Sequence, residues 1–284
     1  MRPLSVQEPI EKESLPAQRV TYVGTRVGTM EALRSISVVQ LAILYAIAIG
    51  CAEVLTTYAS PLLGLSIHLL VFTASIFHGA IEPRPKAMAL WLSISLVPLI
   101  RIVSLGLPLG AVSLEWWYVL AGLPPLAAAI TAVRVLGFSR RQIGLQLPTG
   151  AGWLLTIIVI STGVVIGMAE FSLIGQVITV EASTTGQLVL FGSILILGTG
   201  VVEEVVFRGV LQTAAMAALG TTGGIVLVSV LFAVMHTGHG SILNVWFIFG
   251  VSLYFGYVRY VTGSLLAVIA AHSVANLVLL ILAS

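Results

Sequence analysis

The chain contains no aspartate: the eleven acidic residues among its 284 are all glutamate. Acid or base chemistry by a carboxylate therefore falls to glutamate alone. Charge of either sign is scarce, at 8% of residues, while 58% are hydrophobic and the mean hydropathy is +1.10. No ordinary soluble domain has that balance, so the chain belongs in lipid. A single cysteine, Cys51, lies in an apolar run, which excludes an internal disulfide. The formal net charge of +2 gives no footprint for nucleic acid, and the partner expected from composition is the bilayer. The first residues also lack the basic start, short apolar core and small-residue cleavage site of a signal peptide, so they are expected to be retained.

What charge there is crowds the first 34 positions, from Arg2 through Glu8, Glu11, Lys12, Glu13, Arg19, Arg26 and Glu31 to Arg34, and reads as a solvated tail. Beyond it the sequence predicts an all-α, polytopic bundle. A spanning helix needs roughly 20 apolar residues. Nine segments meet that measure, at about 36–57, 62–80, 87–107, 114–135, 151–168, 186–218, 223–237, 242–260 and 264–283. Pro61, Pro83, Pro85, Pro108, Gly137, Pro148, Gly220 and Gly263 punctuate them. With the N-terminus in the cytoplasm, eleven of the thirteen basic residues fall on the inner side and none in an outer loop; Arg101 and Arg208 lie within spans. Ser284 is then expected outside. The polar break 137–150 separates four N-terminal helices (35–136) from a C-terminal membrane domain (151–284), and no repeat relates the two halves.

Ionisable groups at membrane depth cost at least about 2.5–3.5 kcal/mol each and mark a task or a partner. The sixth span holds three in six residues, Glu203-Glu204-Val205-Val206-Phe207-Arg208. Positions four apart share a helix face whereas adjacent positions are turned by about 100°, so Glu204 can pair with Arg208 while Glu203 points elsewhere, free to face a cavity. The seventh span places Phe232 and His236 four apart, and the ninth does the same with His272 and Asn276. His272 falls about nine residues into its span, ~13 Å deep and close to the bilayer midplane. The plainer readings apply to the other polar groups. His68 and His78 are core histidines donating to backbone carbonyls, Glu53 with Arg101 is an ion pair without chemistry, and His239 is a loop residue.

Glu203-Glu204-xxx-Arg208, Phe232-xxx-His236 and His272-xxx-Asn276, in that order on successive membrane helices, resemble the CPBP (Abi) family of intramembrane proteases, which includes the CAAX prenyl endopeptidases and bacteriocin-processing proteins. The resemblance covers roughly 150–284, with Ile143-Gly144-Leu145 as its approach, and makes 151–284 the catalytic domain. It implies an intramembrane endopeptidase in which Glu203 activates water, His236 assists, and His272 and Asn276 stabilise the oxyanion. Glu204, Arg208 and Phe232 are supporting residues. The partners it implies are lipid and a peptide or protein substrate, with or without a lipid anchor, in the plasma membrane of a prokaryote. Donor amides aimed at a developing oxyanion suit peptide hydrolysis, and no serine or cysteine nucleophile is needed. No cofactor is required on this reading. Zinc stays open, because two histidines and a glutamate (His236, His272 and Glu203) match a catalytic ligand set, although HExxH is absent. Two other classes stay open: a proton-coupled transporter, and a non-catalytic immunity or scaffold protein that keeps these residues for binding.

Overall fold

The computed structural model describes residues 37–108, 112–150, 152–174 and 184–283. The polar leader and Ser284 lie outside the described residues, so neither the tail nor the expected position of the C-terminus is addressed by it. From Val38 onward the chain forms one compact unit, and every regular element among the described residues is helical.

Among the described residues, eight helical runs are long and apolar enough to cross a membrane. They are α1 (Val38–Tyr58), α2 (Pro61–Ile81), the pair α3 (Pro85–Ile94) and α4 (Leu96–Gly106), α5 (Leu114–Val135), α6 (Gly152–Ile174), a long run from Thr185 to His239, α10 (Ile242–Thr262) and α11 (Leu265–Ala283). The protein is thus a multi-pass integral membrane protein. Its outward face carries leucine, isoleucine and valine, as a lipid-facing surface requires, since in hydrocarbon only closed helices satisfy their own backbone groups.

The difference between eight runs and nine expected segments resides at Gly220. The 55-residue run would be ~80 Å long if straight, far beyond a hydrocarbon core of about 30 Å. At Gly220 the backbone turns to φ 79° and ψ 167°, a conformation that favours glycine. The chain then doubles back, and a Cβ on Gly224 would meet the Met216 nitrogen at 2.5 Å. Two crossings are therefore joined without a loop.

Local sequence sets the other boundaries. Ser60 caps α2 ahead of Pro61, Thr184 and Gln187 form a capping box at α7 (Thr185–Leu195), and Ser241 caps α10. Gly263, at φ 66°, ends α10 in the left-handed cap that glycine supplies. The third crossing breaks after Ile94 because Pro98 has no N–H for the Ile94 carbonyl and its ring crowds that oxygen. Between helices the segment 137–150 is held down by polar bonds: Arg259 and Thr213 donate to the Gln142 carbonyl, and the Leu265 amide donates to Gly144.

Candidate active site

The long run does not stay α-helical where its charges lie. After α7 it winds as a π-helix over Ile196–Val201, returns to α geometry for three residues in α8 (Val202–Glu204), and is π-helical again over Val205–Leu211 before α9 (Gln212–Val234). Such segments are uncommon and concentrate at functional sites. Small residues permit this one. Gly198 lies against the Tyr118 carbonyl, Gly122 of α5 against Gly198, and Gly200 leaves no room for a Cβ beside the Ser273 hydroxyl. Backbones from α5 and α11 thus close directly on the segment bearing Glu203 and Glu204.

The two glutamates part company there. Glu204 is fully buried, and its Oε1 accepts from Arg208 Nη1 at 3.0 Å and from His272 Nδ1 at 2.7 Å. Arg208 is buried too. Its Nη2 donates to Ser252 Oγ at 2.9 Å, and its guanidinium lies 4.0 Å above the Phe232 ring, a cation–π contact. Glu203 keeps 25% of its side chain accessible and accepts no hydrogen bond at Oε2; the nearest basic atom, His272 Nε2, is 4.0 Å away.

The histidines present one nitrogen each. His236 lies just past the end of α9, and its Nδ1 is 2.8 Å from the Phe232 carbonyl, which can only accept. The proton is therefore on Nδ1, and Nε2 is a free acceptor. Its ring also packs against Phe232, with centroids 4.7 Å apart. His272 donates from Nδ1 to Glu204, which turns Nε2 toward Glu203. Asn276, one turn on, spends one amide N–H on Thr199 Oγ1 at 2.8 Å, and that hydroxyl donates in turn to the Leu195 carbonyl. The second N–H of Asn276 is left over.

Glu203, His236, His272 and Asn276 all line one cavity of about 340 Å³, with Phe232 in its wall. Three separate stretches of sequence are thereby brought to one space. Glu204 and Arg208 stand behind it as a buried pair.

Several neighbours were not expected from sequence. Thr199 and Ser252 orient Asn276 and Arg208. His239 sits in the 3₁₀ turn Thr237–His239, lines the same cavity and stands edge-on to His236 at 5.5 Å. Glu170, on α6, lines it as well. A carboxylate in an apolar run was the available signal for Glu170, but the fifth segment was expected to end at 168, whereas α6 continues to Ile174.

Two core expectations are corrected. His68 and His78 are buried, but their partners are side chains rather than carbonyls. His68 Nε2 lies 3.1 Å from Glu53, while His78 Nδ1 lies 3.2 Å from the Tyr45 hydroxyl and its ring stacks on Trp91. The cause is that acids and aromatics from neighbouring helices reach these rings before any unpaired carbonyl does. Glu53 and Arg101 form the expected ion pair, a bidentate one with both contacts at 2.7 Å, and Arg101 also donates to the Met235 carbonyl next to His236.

Among the described residues no three His, Cys, Asp or Glu side chains converge to hold a metal ion. The Nδ1 contacts of His236 and His272 leave Nε2 as the free nitrogen of each ring.

The described bundle thus gathers a glutamate, two histidines and an asparagine around one cavity. Residues 185–278, a stretch holding the whole cluster, match the model of the type II CAAX prenyl endopeptidase Rce1-like family. The match agrees with the resemblance to CPBP proteases carried by the three motifs, and at family level it implies a membrane protease. A second likeness is partial. The protein named probable lipid II flippase MurJ, from Synechocystis sp., is 28% identical over 170 residues, covering 58% of this chain and 32% of that protein, so the chain spans about a third of its length. No solved structure matches.

Proposed function

We propose that the cavity is the active site of an intramembrane endopeptidase in which Glu203 activates a water molecule for attack on a peptide carbonyl. The observation that carries this reading is the contrast between Glu203, which lines the cavity with a quarter of its side chain accessible, and Glu204, which is fully buried behind it and held at Oε1 by Arg208 and His272. His236 Nε2 accepts from the same water, so two acceptors meet the nucleophile. The spare amide proton of Asn276 is a donor for the oxyanion, and a second proton on His272 Nε2, balanced by Glu204 at Nδ1, makes a second donor. The N-terminal tail and the Arg140–Arg141 loop are assigned to the cytoplasm by the placement of basic residues, in a prokaryotic plasma membrane. The substrate is a peptide or protein segment, prenylated or not.

The test is cleavage by the purified protein in detergent. Glu203→Gln and His236→Ala should abolish turnover while leaving peptide binding within about threefold, because water activation acts on the transition state and not on the ground state. Chelators should leave the rate unchanged; loss with chelator and recovery with Zn²⁺ would replace the oxyanion role of His272 with a ligand role.

The partial likeness to a probable flippase favours a second reading, transport across the membrane. Cargo movement in liposomes without peptide cleavage would establish it.

A further inference from the structure

We infer that Glu170 forms an anionic subsite of this cavity that binds an ammonium or guanidinium group of the ligand, such as the side chain of a lysine or arginine in a peptide. The position of Glu170 is rigidly set. Gly163 and Gly167 of α6 lie so close to α11 that a Cβ on either would collide with the carbonyl oxygen of Ala271 or Ala275. Glu170 follows Gly167 by three residues and so shares that face, one turn along, beside the helix that bears His272 and Asn276.

Among the described residues its carboxylate has no bonding partner. Among the described residues, the other three buried glutamates each have an arginine partner: Glu53 has Arg101, Glu82 has Arg84, and Glu204 has Arg208. Glu170 is 8% exposed and has no hydrogen bond or ion pair to any described residue, yet it lines the cavity. Arg101, the arginine in the cavity wall, is committed to Glu53 and to the Met235 carbonyl and does not serve it.

A carboxylate buried in a membrane bundle without a counter-charge is costly, and a ligand that brings the counter-charge removes that cost. The remaining wall suits a cation. Phe171, Trp117 and Tyr118 line the same cavity, offering ring faces that attract ammonium and guanidinium groups. The Trp117 indole N–H is buried without an acceptor, a second unmet polar group in this wall.

The subsite deepens the peptidase reading by naming a preferred substrate class, and its test is separable from cleavage. Purified full-length protein in a neutral detergent is unfolded thermally with n-butylguanidinium and with n-butylurea, its uncharged isostere. Wild type should be stabilised by the guanidinium at concentrations about tenfold lower than by the urea, the ratio that one charge-assisted hydrogen bond supports. Glu170→Gln should erase the difference; where that variant does not fold, Glu170→Met makes the same comparison. Equal potency of the two compounds on wild type, or a preference that survives the substitution, overturns the subsite. The guanidinium should also inhibit peptide cleavage by wild type and not by Glu170→Gln. Should wild type cleave no peptide while still preferring the cation, the peptidase reading fails and the subsite stands.

Discussion

Two clusters among the described residues are built from the same parts, a glutamate, an arginine and a histidine among membrane helices, and only one of them puts a carboxylate on the cavity. Around Glu53 both carboxylate oxygens are matched. Arg101 reaches both carboxylate oxygens, His68 approaches one of them, and the guanidinium spends its remaining contact on the Met235 carbonyl. Around Glu204, Arg208 and His272 both bond Oε1, and beside them a further carboxylate, Glu203, lines a cavity. An ionic cluster in lipid is a structural lock when its charges are matched. It becomes a candidate for chemistry when one member is left over with space in front of it.

The comparison can be broken at several points, in descending order of effect. Arg208→Ala should cost about 3–5 kcal/mol and reduce folded yield, because it strands Glu204 in the bundle, and Arg101→Ala should do the same to Glu53; thermal unfolding in detergent reads both. Equal stability of Arg208→Ala and wild type would mean that Glu204 needs no partner. Asn276→Ala should slow cleavage by ~10² to 10³ with little change in melting temperature, and a rate within threefold of wild type would remove Asn276 from the oxyanion site.

The smallest effect lies outside the spans, where Arg84, bonding to both oxygens, holds the Glu82 carboxyl down at about 2 against burial, helped by the Trp91 N–H. A carboxyl depressed in the folded state contributes stability that is complete above its unfolded value near 4.5 and is lost as pH falls through about 2. Glu82→Gln should therefore lower stability by under about 1 kcal/mol at neutral pH, since Arg84 is partly solvated, with the difference fading below about pH 4. A difference that grows on acidification would reverse the sign assigned to this pair.

Much of the site was legible because helical periodicity is a strong constraint. Four-residue spacing separates Glu204 with Arg208 from Glu203, and the same spacing puts His272 and Asn276 on one face. The apolar segments were equally readable, since lipid leaves few alternatives to a helix. What was hidden depends on contacts between helices. The glycines around Glu203 are visible in sequence, but their π winding arises from α5 and α11 pressing on them. The hydrogen bond from Asn276 to Thr199 joins residues 77 apart, and no local pattern announces it. Glu170 was missed for a simpler reason: hydropathy places the end of a span poorly, and a carboxylate near that end reads as part of a loop.

The most direct test of the difference between the two clusters is a side-by-side measurement of Glu203→Gln and Glu53→Gln, each purified and assayed for peptide cleavage by mass spectrometry of the products and for thermal unfolding. The account predicts that Glu203→Gln yields no product while melting with wild type, and that Glu53→Gln melts lower, with product still forming from the folded fraction. Normal turnover by Glu203→Gln would contradict it.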